Sequence, residues 1–434
     1  MALPTGEEDS ISLKLTDGFN CTLFKQGLTR YEKLSYPVRF GVYHEVSGRD
    51  LTVHFNLRGH PVYLQSTAAS WPHPHDWIKI TPSGKRLYLS SGSYLDGFSL
   101  YGEHFIPVPD HSSNSLFPLD PFGLPEVIEA ERRYRGWIDG LMSALSAAPA
   151  PPAIAFLKVL RQTCTHPLQS AMRFHTAIRG TVPVLPPDTR HTVYDVIPLI
   201  ISDGCLSNCG FCTIKTGTPF RERGLEEIRE QADSTVAFLG PDLRNFNAVF
   251  LGQNDALACS HSLIDFAISL SLSKFEVKNS LIKEPALFMF GSVKSLLAAR
   301  ESTFHTIEAS GFRCYINIGF ESFHQPTLDL LKKPANASDV RLAFQKALDI
   351  NRRFSHIEIT GNFVLGTSLP DEHNEILSLT LMQPAPTAHE GQAITIYLSP
   401  LSGHRDESRQ ILRTVRTLQQ TSNTPCYLYL LTGL

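Results

Sequence analysis

The second half of the chain constrains the fold most, because short apolar runs alternate there with amphipathic segments. Alternating strands and helices of this length are typical of a parallel sheet with crossover helices. The pattern predicts an α/β fold, a partial (β/α)6 TIM-like barrel whose reactive face lies at the carboxyl ends of its strands. The six predicted strands are Val196 to Ser202, Ala248 to Gly252, Ala286 to Phe290, Cys314 to Phe320, Ile357 to Leu365 and Ala393 to Leu401. The predicted helices are Leu225 to Leu239, Ser262 to Leu272, Val293 to Ala309, Ala337 to Arg352 and Glu372 to Met382.

The first 189 residues have a different pattern. Aromatic and β-branched residues recur with a period of two from about Tyr36 to Pro109, which predicts a small β domain. Helices are predicted over Pro125 to Ser146 and again up to Ile178, and the proline-rich Pro183 to Arg190 is predicted to be a linker. A further strand is expected near Cys426, without a place in the sheet. The predicted domains are a β-rich N-terminal domain over 1–124, a helical segment and linker over 125–189, a core barrel over 190–401 and a C-terminal helix and strand over 402–434.

Composition and charge exclude some functions. The formal net charge of −3 gives no general basic field, so neither extended nucleic-acid binding nor binding to anionic membranes is indicated. The first ten residues lack the basic start and apolar run of a secretory signal. No apolar stretch reaches the ~18 residues of a membrane-spanning helix. We therefore expect a cytoplasmic location and no membrane partner.

Three of the eight cysteines lie in one short stretch, Asp203-Gly-Cys-Leu-Ser-Asn-Cys-Gly-Phe-Cys212, directly after the first predicted strand. Three thiolates in one loop can bind three irons of a cubane and leave the fourth iron open. A zinc site is the alternative, but it needs a fourth Cys or His, and no second Cys-x-x-Cys or His-x-x-x-His pattern is present. The remaining cysteines are scattered and are expected to be buried apolar side chains: Cys21, Cys164, Cys259, Cys314 and Cys426.

The loop resembles that of the radical S-adenosylmethionine superfamily, which has the same Cys-x3-Cys-x2-Cys spacing after a strand and an aromatic residue before the last cysteine, here Phe211. The resemblance implies that Cys205, Cys209 and Cys212 hold a 4Fe-4S cluster. It implies that the open iron chelates S-adenosylmethionine, whose reductive cleavage gives a 5′-deoxyadenosyl radical. Phe211 would flank the adenine, and a flavodoxin- or ferredoxin-like protein would be the electron donor.

Two later segments resemble cofactor-binding parts of the same superfamily. Gly252, Gln253, Asn254 and Asp255 follow the second predicted strand and align with the turn that receives the methionine amino group. Amide and carboxylate oxygens suit an ammonium group, although a polar loop that caps the next helix is the alternative. After the fourth predicted strand, Glu321 and Ser322 align with polar groups that face the carboxylate and ribose of the cofactor.

Other matches carry less information. Lys294 suits either a counter-charge to the cofactor carboxylate or a solvated lysine at a helix start. The segment Gly361-Asn-Phe-Val-Leu-Gly366 resembles the adenine side of the superfamily, and a core strand with a glycine bulge has the same pattern. Arg221 and Arg223 lie in a stretch, 218–230, that resembles the methylthiotransferase branch, and by themselves they are typical of solvated surface charges.

The resemblance covers about residues 190 to 401 and is nearest to the methylthiotransferase and elongator-like branch, without identifying a subfamily. We expect one cluster, because a single cysteine follows the barrel, and the first 180 residues lack a cobalamin-binding pattern, which argues against cobalamin. The alternatives are an RNA-modifying methylthiotransferase-like enzyme, a coproporphyrinogen oxidase-like role suggested by Glu321 to Pro334, and a noncatalytic iron-sulfur protein. His73 and His75 could bind a metal or line a pocket, but a surface loop is the expected role.

Overall fold

The computed structural model describes residues 9–32, 38–90, 97–117, 119–163, 167–207, 209–212, 218–383, 394–401 and 405–434. Within these ranges, an eight-stranded antiparallel sheet comes first, with its strands side by side in chain order. Successive side chains point to opposite faces of a strand, so the period-two pattern of this region places alternate residues in the core. The strands are β1 (Ile11–Lys14), β2 (Asn20–Gln26), β3 (Val42–Gly48), β4 (Leu51–Phe55), β5 (Pro61–Ser66), β6 (Trp77–Ile80), β7 (Arg86–Ser90) and β8 (Ile106–Pro109).

The antiparallel sheet begins earlier than the predicted start at Tyr36, which itself lies outside the described residues. The first two strands escaped prediction because β1 is a half-buried edge strand of four residues. A tight turn at Asp17 and Gly18, both with positive φ, separates β1 from β2 and interrupts the pattern. Short, half-exposed strands carry a weak apolar signal.

Four helices follow the antiparallel strands or lie between them in the described part of the chain. They are α1 (Gly97–Tyr101), α2 (Pro125–Ala147), α3 (Pro151–Gln162) and α4 (Pro167–Ala177). Helix α2 covers one face of the sheet, where Trp137 packs edge-on against Phe19 at 5.4 Å and donates from Nε1 to the Gly48 carbonyl at 2.7 Å. Helix α3 begins inside the Ala/Pro run, because proline is well tolerated at the first helical position.

Seven of the strands in the described residues form a second sheet, in which all neighbours are parallel. The strand order is β17-β16-β15-β14-β13-β12-β9, so consecutive strands lie side by side. Six of these strands were predicted, and the seventh is the strand near Cys426, which pairs with β16. The strands after β8 are β9 (Ile197–Leu199), β10 (Ser202–Asp203), β11 (Arg221–Glu222), β12 (Ala248–Leu251), β13 (Ala286–Ser292), β14 (Arg313–Glu321), β15 (Ile357–Leu365), β16 (Ile396–Pro400) and β17 (Cys426–Leu428).

The helices between the parallel strands follow the prediction with two differences. A short helix over Gln325–Leu330 was not predicted. The predicted helix from Val293 to Ala309 is two helices, because Ala299 has an extended backbone conformation. The ammonium group of Lys346 donates to the carbonyls of Leu297 and Ala299 at 3.1 and 2.9 Å, which satisfies groups that the break leaves free. The helices are α5 (Leu225–Leu239), α6 (His261–Lys274), α7 (Val293–Ala298), α8 (Glu301–Ser310), α9 (Gln325–Leu330), α10 (Ala337–Arg353), α11 (Asp371–Met382) and α12 (Arg405–Thr421).

The segment predicted to be a linker, Pro183 to Arg190, is buried instead. Its end forms a 3-10 turn over Pro187–Thr192, in which Asp188 has no exposed surface. The Asp188 carboxylate accepts hydrogen bonds from the hydroxyls of Tyr397 at 2.6 Å and Thr360 at 2.8 Å, two side chains of neighbouring parallel strands. The prolines therefore shape a core segment rather than an exposed connection.

The N-terminal sheet packs directly against the helices and loops of the parallel sheet. Asn245 bonds the backbone of Val42 with both its amide oxygen and its amide nitrogen, each at 2.8 Å. The buried ammonium group of Lys79 donates to the Val193 carbonyl at 2.6 Å. One continuous apolar cluster contains residues of both sheets, such as Phe55 and Leu251. Within the described ranges, no helix combines the length and apolar character needed to cross a bilayer.

Candidate active site

A cavity of about 610 Å³ lies at the carboxyl ends of the parallel strands. Its walls come from the segments that follow β9, β12 and β17 and from the ends of β13, β14, β15 and β16. Residues 111–113, which follow the last antiparallel strand, complete one side. In a parallel α/β sheet this edge is where ligands bind, because the loops there are free to vary.

The three cysteines of the loop all line this cavity. Cys209 is 8% exposed, and Cys205 and Cys212 are half-buried. Burial raises the pKa of Cys209 to about 11, and the neighbouring Cys205 and Cys212 act in the same direction. No three His, Cys, Asp or Glu side chains in the described ranges are placed to hold a single metal ion. A cubane differs from such a site, because each thiolate binds a different iron.

Two glycines give the cysteine loop its shape. Gly204 has a φ of 74°, and a Cβ there would lie 2.5 Å from the Thr218 carbonyl oxygen and closer still to that of Pro219. Gly210 donates its N–H to the Leu331 carbonyl at 3.0 Å, and a Cβ there would lie 2.9 Å from the Cβ of Lys332. The loop is thus held between the segment at 218–219 and the end of α9.

We expect Gly204→Ala to lower iron incorporation about tenfold, because a side chain at this positive φ costs about 1 to 3 kcal/mol in the loop conformation that presents the cysteines. Iron and sulfide per chain after anaerobic reconstitution measure the effect. Gly136→Ala is the matched control, since Gly136 lies on the exposed side of α2 and a Cβ there meets nothing within 4 Å. Equal iron contents in the two variants would contradict the prediction.

Glu321 and Lys333 form an ion pair in the cavity wall, with Nζ and Oε1 separated by 3.3 Å and both side chains nearly buried. Glu321 ends β14 at a φ of 68°, and the pairing register with β15 shifts between Gly319 and Glu321. A register shift of this kind turns a side chain to a new direction, here toward the cavity. Lys333 was not among the residues predicted for the site, although it lies in the Leu-Leu-Lys-Lys-Pro stretch that the sequence singled out.

The turn after β12 places one of its four predicted residues in the cavity. Asn254 lines the cavity, and its Oδ1 is buried without a hydrogen-bond partner among the described residues. Gly252 and Gln253 do not line the cavity, and the Gln253 amide donates to the Thr181 carbonyl at 3.0 Å. Of the four residues of this turn, Asn254 alone lines the cavity, and it does so with an acceptor that has no partner among the described residues.

Asp255, the last residue of that turn, has a different role. Its carboxylate is fully buried and accepts from the backbone N–H of Ser292 at 3.2 Å and from the Ser295 hydroxyl at 2.7 Å. Burial raises its pKa. Asp255 thus braces the start of α7 from outside the cavity, and its side chain does not cap the helix that follows this turn.

Ser322 also differs from its predicted role, because its hydroxyl points away from the cavity. It bonds to Nδ1 of the buried His373 at 2.8 Å, and Nε2 of His373 donates to the Val364 carbonyl at 2.8 Å. Burial lowers the pKa of His373, so the neutral imidazole joins the ends of β14 and β15. Ser322 therefore positions the strand end that carries Glu321.

Phe211 lies on the apolar side of the cavity. It packs with Leu401 against a buried cluster of Leu331, Val364 and Leu369. The C-terminal end of β15, within the segment that resembles the adenine side, contributes Val364 to this cluster. This apolar side of the cavity can pack against a flat apolar part of a ligand.

The predicted basic residues do not line the cavity. Lys294 is exposed on α7. Arg221 is exposed and Arg223 is nearly buried, and both pair with Asp203, at 2.7 and 2.6 Å. These two ion pairs hold the start of the cysteine loop against β11.

The remaining predictions on histidines and cysteines have clear placements. His73 and His75 lie in an exposed loop before β6 and outside the cavity. Cys164 lies outside the described residues. The other scattered cysteines are buried, as predicted for apolar side chains: Cys21, Cys259, Cys314 and Cys426.

Comparisons with known proteins give structural similarities alone. No protein-family model matches the sequence, and no curated protein matches it. Among solved structures, the cobalamin-dependent S-adenosylmethionine radical enzyme OxsB, with aqua-cobalamin and S-adenosylmethionine bound, matches at 12% identity and a TM-score of 0.36, over 56% of this chain and 34% of OxsB. Streptococcus suis SuiB bound to S-adenosylmethionine matches at 11% identity and a TM-score of 0.37, over 82% of this chain and 72% of SuiB.

Methylornithine synthase (PylB) matches at 11% identity and a TM-score of 0.31, over 66% of this chain and 85% of PylB. The chain spans about a third of the length of OxsB. TM-scores below 0.5 at these identities are too low to assign a reaction, a substrate or a site residue. Those assignments depend on the cysteine loop and its surroundings.

Proposed function

We propose that the protein is a radical S-adenosylmethionine enzyme in which Cys205, Cys209 and Cys212 bind a 4Fe-4S cluster. The observation that carries the proposal is that the three cysteines of a Cys-x3-Cys-x2-Cys loop line one cavity at the carboxyl ends of parallel strands. We further propose that the seven-stranded sheet curves as a partial barrel around this cavity. When bound, the cluster supplies the electron that cleaves S-adenosylmethionine and so starts radical chemistry on a substrate.

The donor set fits such a cluster. Three thiols are present without a fourth protein ligand in the loop, which leaves one iron for the cofactor. A structural zinc site would be closed by a fourth ligand, and the described residues hold no group of three or more His, Cys, Asp or Glu arranged for one metal ion.

The polar groups beside the cysteines suit the zwitterionic methionine end of the cofactor. Lys333 offers a cation to the carboxylate, and Glu321 and the unpartnered oxygen of Asn254 offer acceptors to the ammonium group. Phe211 and Val364 offer an apolar surface to the adenine. The ion pair between Glu321 and Lys333 keeps both groups in place before the ligand binds, which limits the reorganisation that binding requires.

We expect Lys333→Met to raise the KM for S-adenosylmethionine about 10- to 100-fold, because a hydrogen bond to a charged group contributes about 1.5 to 3 kcal/mol. Lys158→Met is the matched control, because Lys158 is exposed on α3 and does not line the cavity. Initial rates of 5′-deoxyadenosine formation against cofactor concentration provide the measurement. An unchanged KM in Lys333→Met would show that this lysine does not face the cofactor.

Anaerobic reconstitution with iron and sulfide tests the function itself. We expect about four irons per chain, the absorption and electron paramagnetic resonance signals of a reduced 4Fe-4S cluster, and cleavage of S-adenosylmethionine to 5′-deoxyadenosine and methionine with a strong reductant. Protein that binds zinc in place of iron, or that assembles the cluster and binds the cofactor without cleaving it, would overturn the proposal. A cytoplasmic location and a flavodoxin- or ferredoxin-like electron donor stay predictions.

A further inference from the structure

Asn362 of β15 lines the cavity on the side nearer the start of that strand, and this part of the cavity lining is called the floor. Residues 360, 362 and 364 share a face of this strand, because side chains alternate along it. Val364 lies beside Phe211, Asn362 is two residues nearer the start of the strand, and Thr360, two residues further in the same direction, is fully buried. If the cofactor occupies the mouth beside Phe211, as proposed above, Asn362 faces the space that remains for the substrate.

Asn362 is held by a reciprocal pair of hydrogen bonds. Its Nδ2 donates to Oδ1 of Asn317 at 2.6 Å, and its Oδ1 accepts from Nδ2 of Asn317 at 3.1 Å. A carboxamide has two N–H donors and two acceptor positions. One donor and one acceptor of Asn362 therefore remain for a ligand.

A chain of buried hydrogen bonds sets the direction in which Asn317 points. Arg190 has donors alone, so the Tyr397 hydroxyl accepts from it at 3.1 Å and gives its own hydrogen to Asp188 at 2.6 Å. At about pH 8, above its pKa of about 7, Asp188 is a carboxylate, which can accept but not donate, so the Thr360 hydroxyl donates to it at 2.8 Å. Thr360 must then accept from its other neighbour.

That neighbour is Asn317, whose Nδ2 donates to the Thr360 hydroxyl at 2.9 Å. Both Nδ2 hydrogens of Asn317 are then used, one for Thr360 and one for Asn362. Its amide cannot flip without losing these bonds, and Asn362 is consequently fixed as well. The protein thus presents a preoriented carboxamide at the cavity floor, which reduces the ordering cost of binding.

The floor offers no charge that is free for a substrate. Glu321 and Lys333 are the acidic and basic side chains among the described residues that line the cavity, apart from His111; they pair with each other and are assigned above to the cofactor. The neighbouring wall residues Phe290 and Tyr429 are aromatic. A buried ionic ligand without a partner is strongly disfavoured in such surroundings, whereas a neutral hydrogen-bonding group is matched.

We propose that Asn362 is a substrate-recognition residue and that it binds an uncharged planar group carrying one donor and one acceptor, as a carboxamide does. The inference rests on the proposed function, because it assigns the space below the cofactor to the substrate. Asn317, Thr360 and Asp188 are positioning residues for this contact. The substrate class is accordingly one with an amide-type group next to a flat apolar part.

Three phenyl compounds of similar shape test the proposal by ligand-observed NMR titration of the reconstituted protein. The sample contains saturating S-adenosylmethionine and no reductant, so that the cofactor site is occupied, and is kept at about pH 8, where Asp188 is ionised. Benzamide carries a donor and an acceptor, acetophenone an acceptor alone, and benzoate a negative charge. We expect benzamide to bind about tenfold more tightly than acetophenone, since one hydrogen bond distinguishes them, and benzoate to bind most weakly. N-Methylbenzamide separates a peptide-type amide from a primary carboxamide.

Asn362→Leu is expected to bind benzamide and acetophenone with equal affinity. Asn362→Ser is a second variant for the same measurement, in case the leucine substitution prevents folding. Asn279→Leu is the control, because Asn279 is exposed and lies outside the cavity. The inference would be overturned if the wild type bound benzamide and acetophenone with equal affinity. It would also be overturned if both Asn362 variants still bound benzamide more tightly than acetophenone. Iron content and S-adenosylmethionine cleavage of the same wild-type sample report on the proposed function separately.

Discussion

Replacement of any one of Cys205, Cys209 and Cys212 with alanine is expected to abolish cleavage of S-adenosylmethionine. Each thiol would bind a different iron of the cubane, and two remaining thiolates do not hold the cluster in the cavity. We expect the rate of 5′-deoxyadenosine formation to fall at least about 1,000-fold, which corresponds to about 4 kcal/mol in the barrier. Iron per chain and product formation under a strong reductant measure both steps.

Cys21→Ala is the matched control for these variants. Cys21 is buried in β2 of the antiparallel sheet and does not line the cavity. Its replacement therefore removes packing contacts but no ligand of the proposed cluster. We expect full iron content and activity in this variant after correction for folded protein. Retention of iron and cleavage in Cys209→Ala would remove the basis of the proposed function.

Replacement of Asp188 with asparagine is expected to change how stability depends on pH. Burial, with the charge of Glu358, raises the pKa of Asp188 to about 7 in the folded protein. The ordinary value of an aspartate is about 3.9, so the folded chain keeps a proton that the unfolded chain has lost between these values. The free energy of unfolding therefore falls as pH rises from about 4 to about 7, by about 4 kcal/mol for this group.

Asp188→Asn removes this dependence, so the variant should gain stability relative to the wild type as the pH rises through that window. Urea unfolding at about pH 4, 6 and 8 measures the difference. Asp265→Asn, on the exposed side of α6, controls for the exchange itself. Parallel curves for Asp188→Asn and the wild type would show that Asp188 ionises normally in the folded protein.

Much of the secondary structure was predictable because local patterns determine it. Helix α5 and strand β15 have the predicted bounds, and α5 lies between Gly224 and Gly240, which mark its two ends. The three cysteines were recognisable because their spacing is contained in one loop. Such features can be predicted without information on residues that are distant in the sequence.

The orientation of individual side chains was not predictable, because it depends on residues that are distant in the sequence. Ser322 and His373 are 51 residues apart, and Asp188 and Thr360 are 172 residues apart, yet each pair shares a hydrogen bond. A local pattern cannot show that Ser322 points away from the cavity or that a proline-rich segment is buried. Lys333 was overlooked because its partner, Glu321, turns toward the cavity through a register shift at the end of β14.

The apolar core that the two sheets share has a consequence for truncated versions of the protein. A fragment that begins at the cysteine-bearing half would expose the core surface that now contacts the antiparallel sheet, and it would also lack residues 111–113 from the cavity wall. Fragments of this kind are expected to aggregate, because large exposed apolar patches associate. The folding unit therefore includes the first sheet, and the segment that follows its last strand completes one side of the cavity.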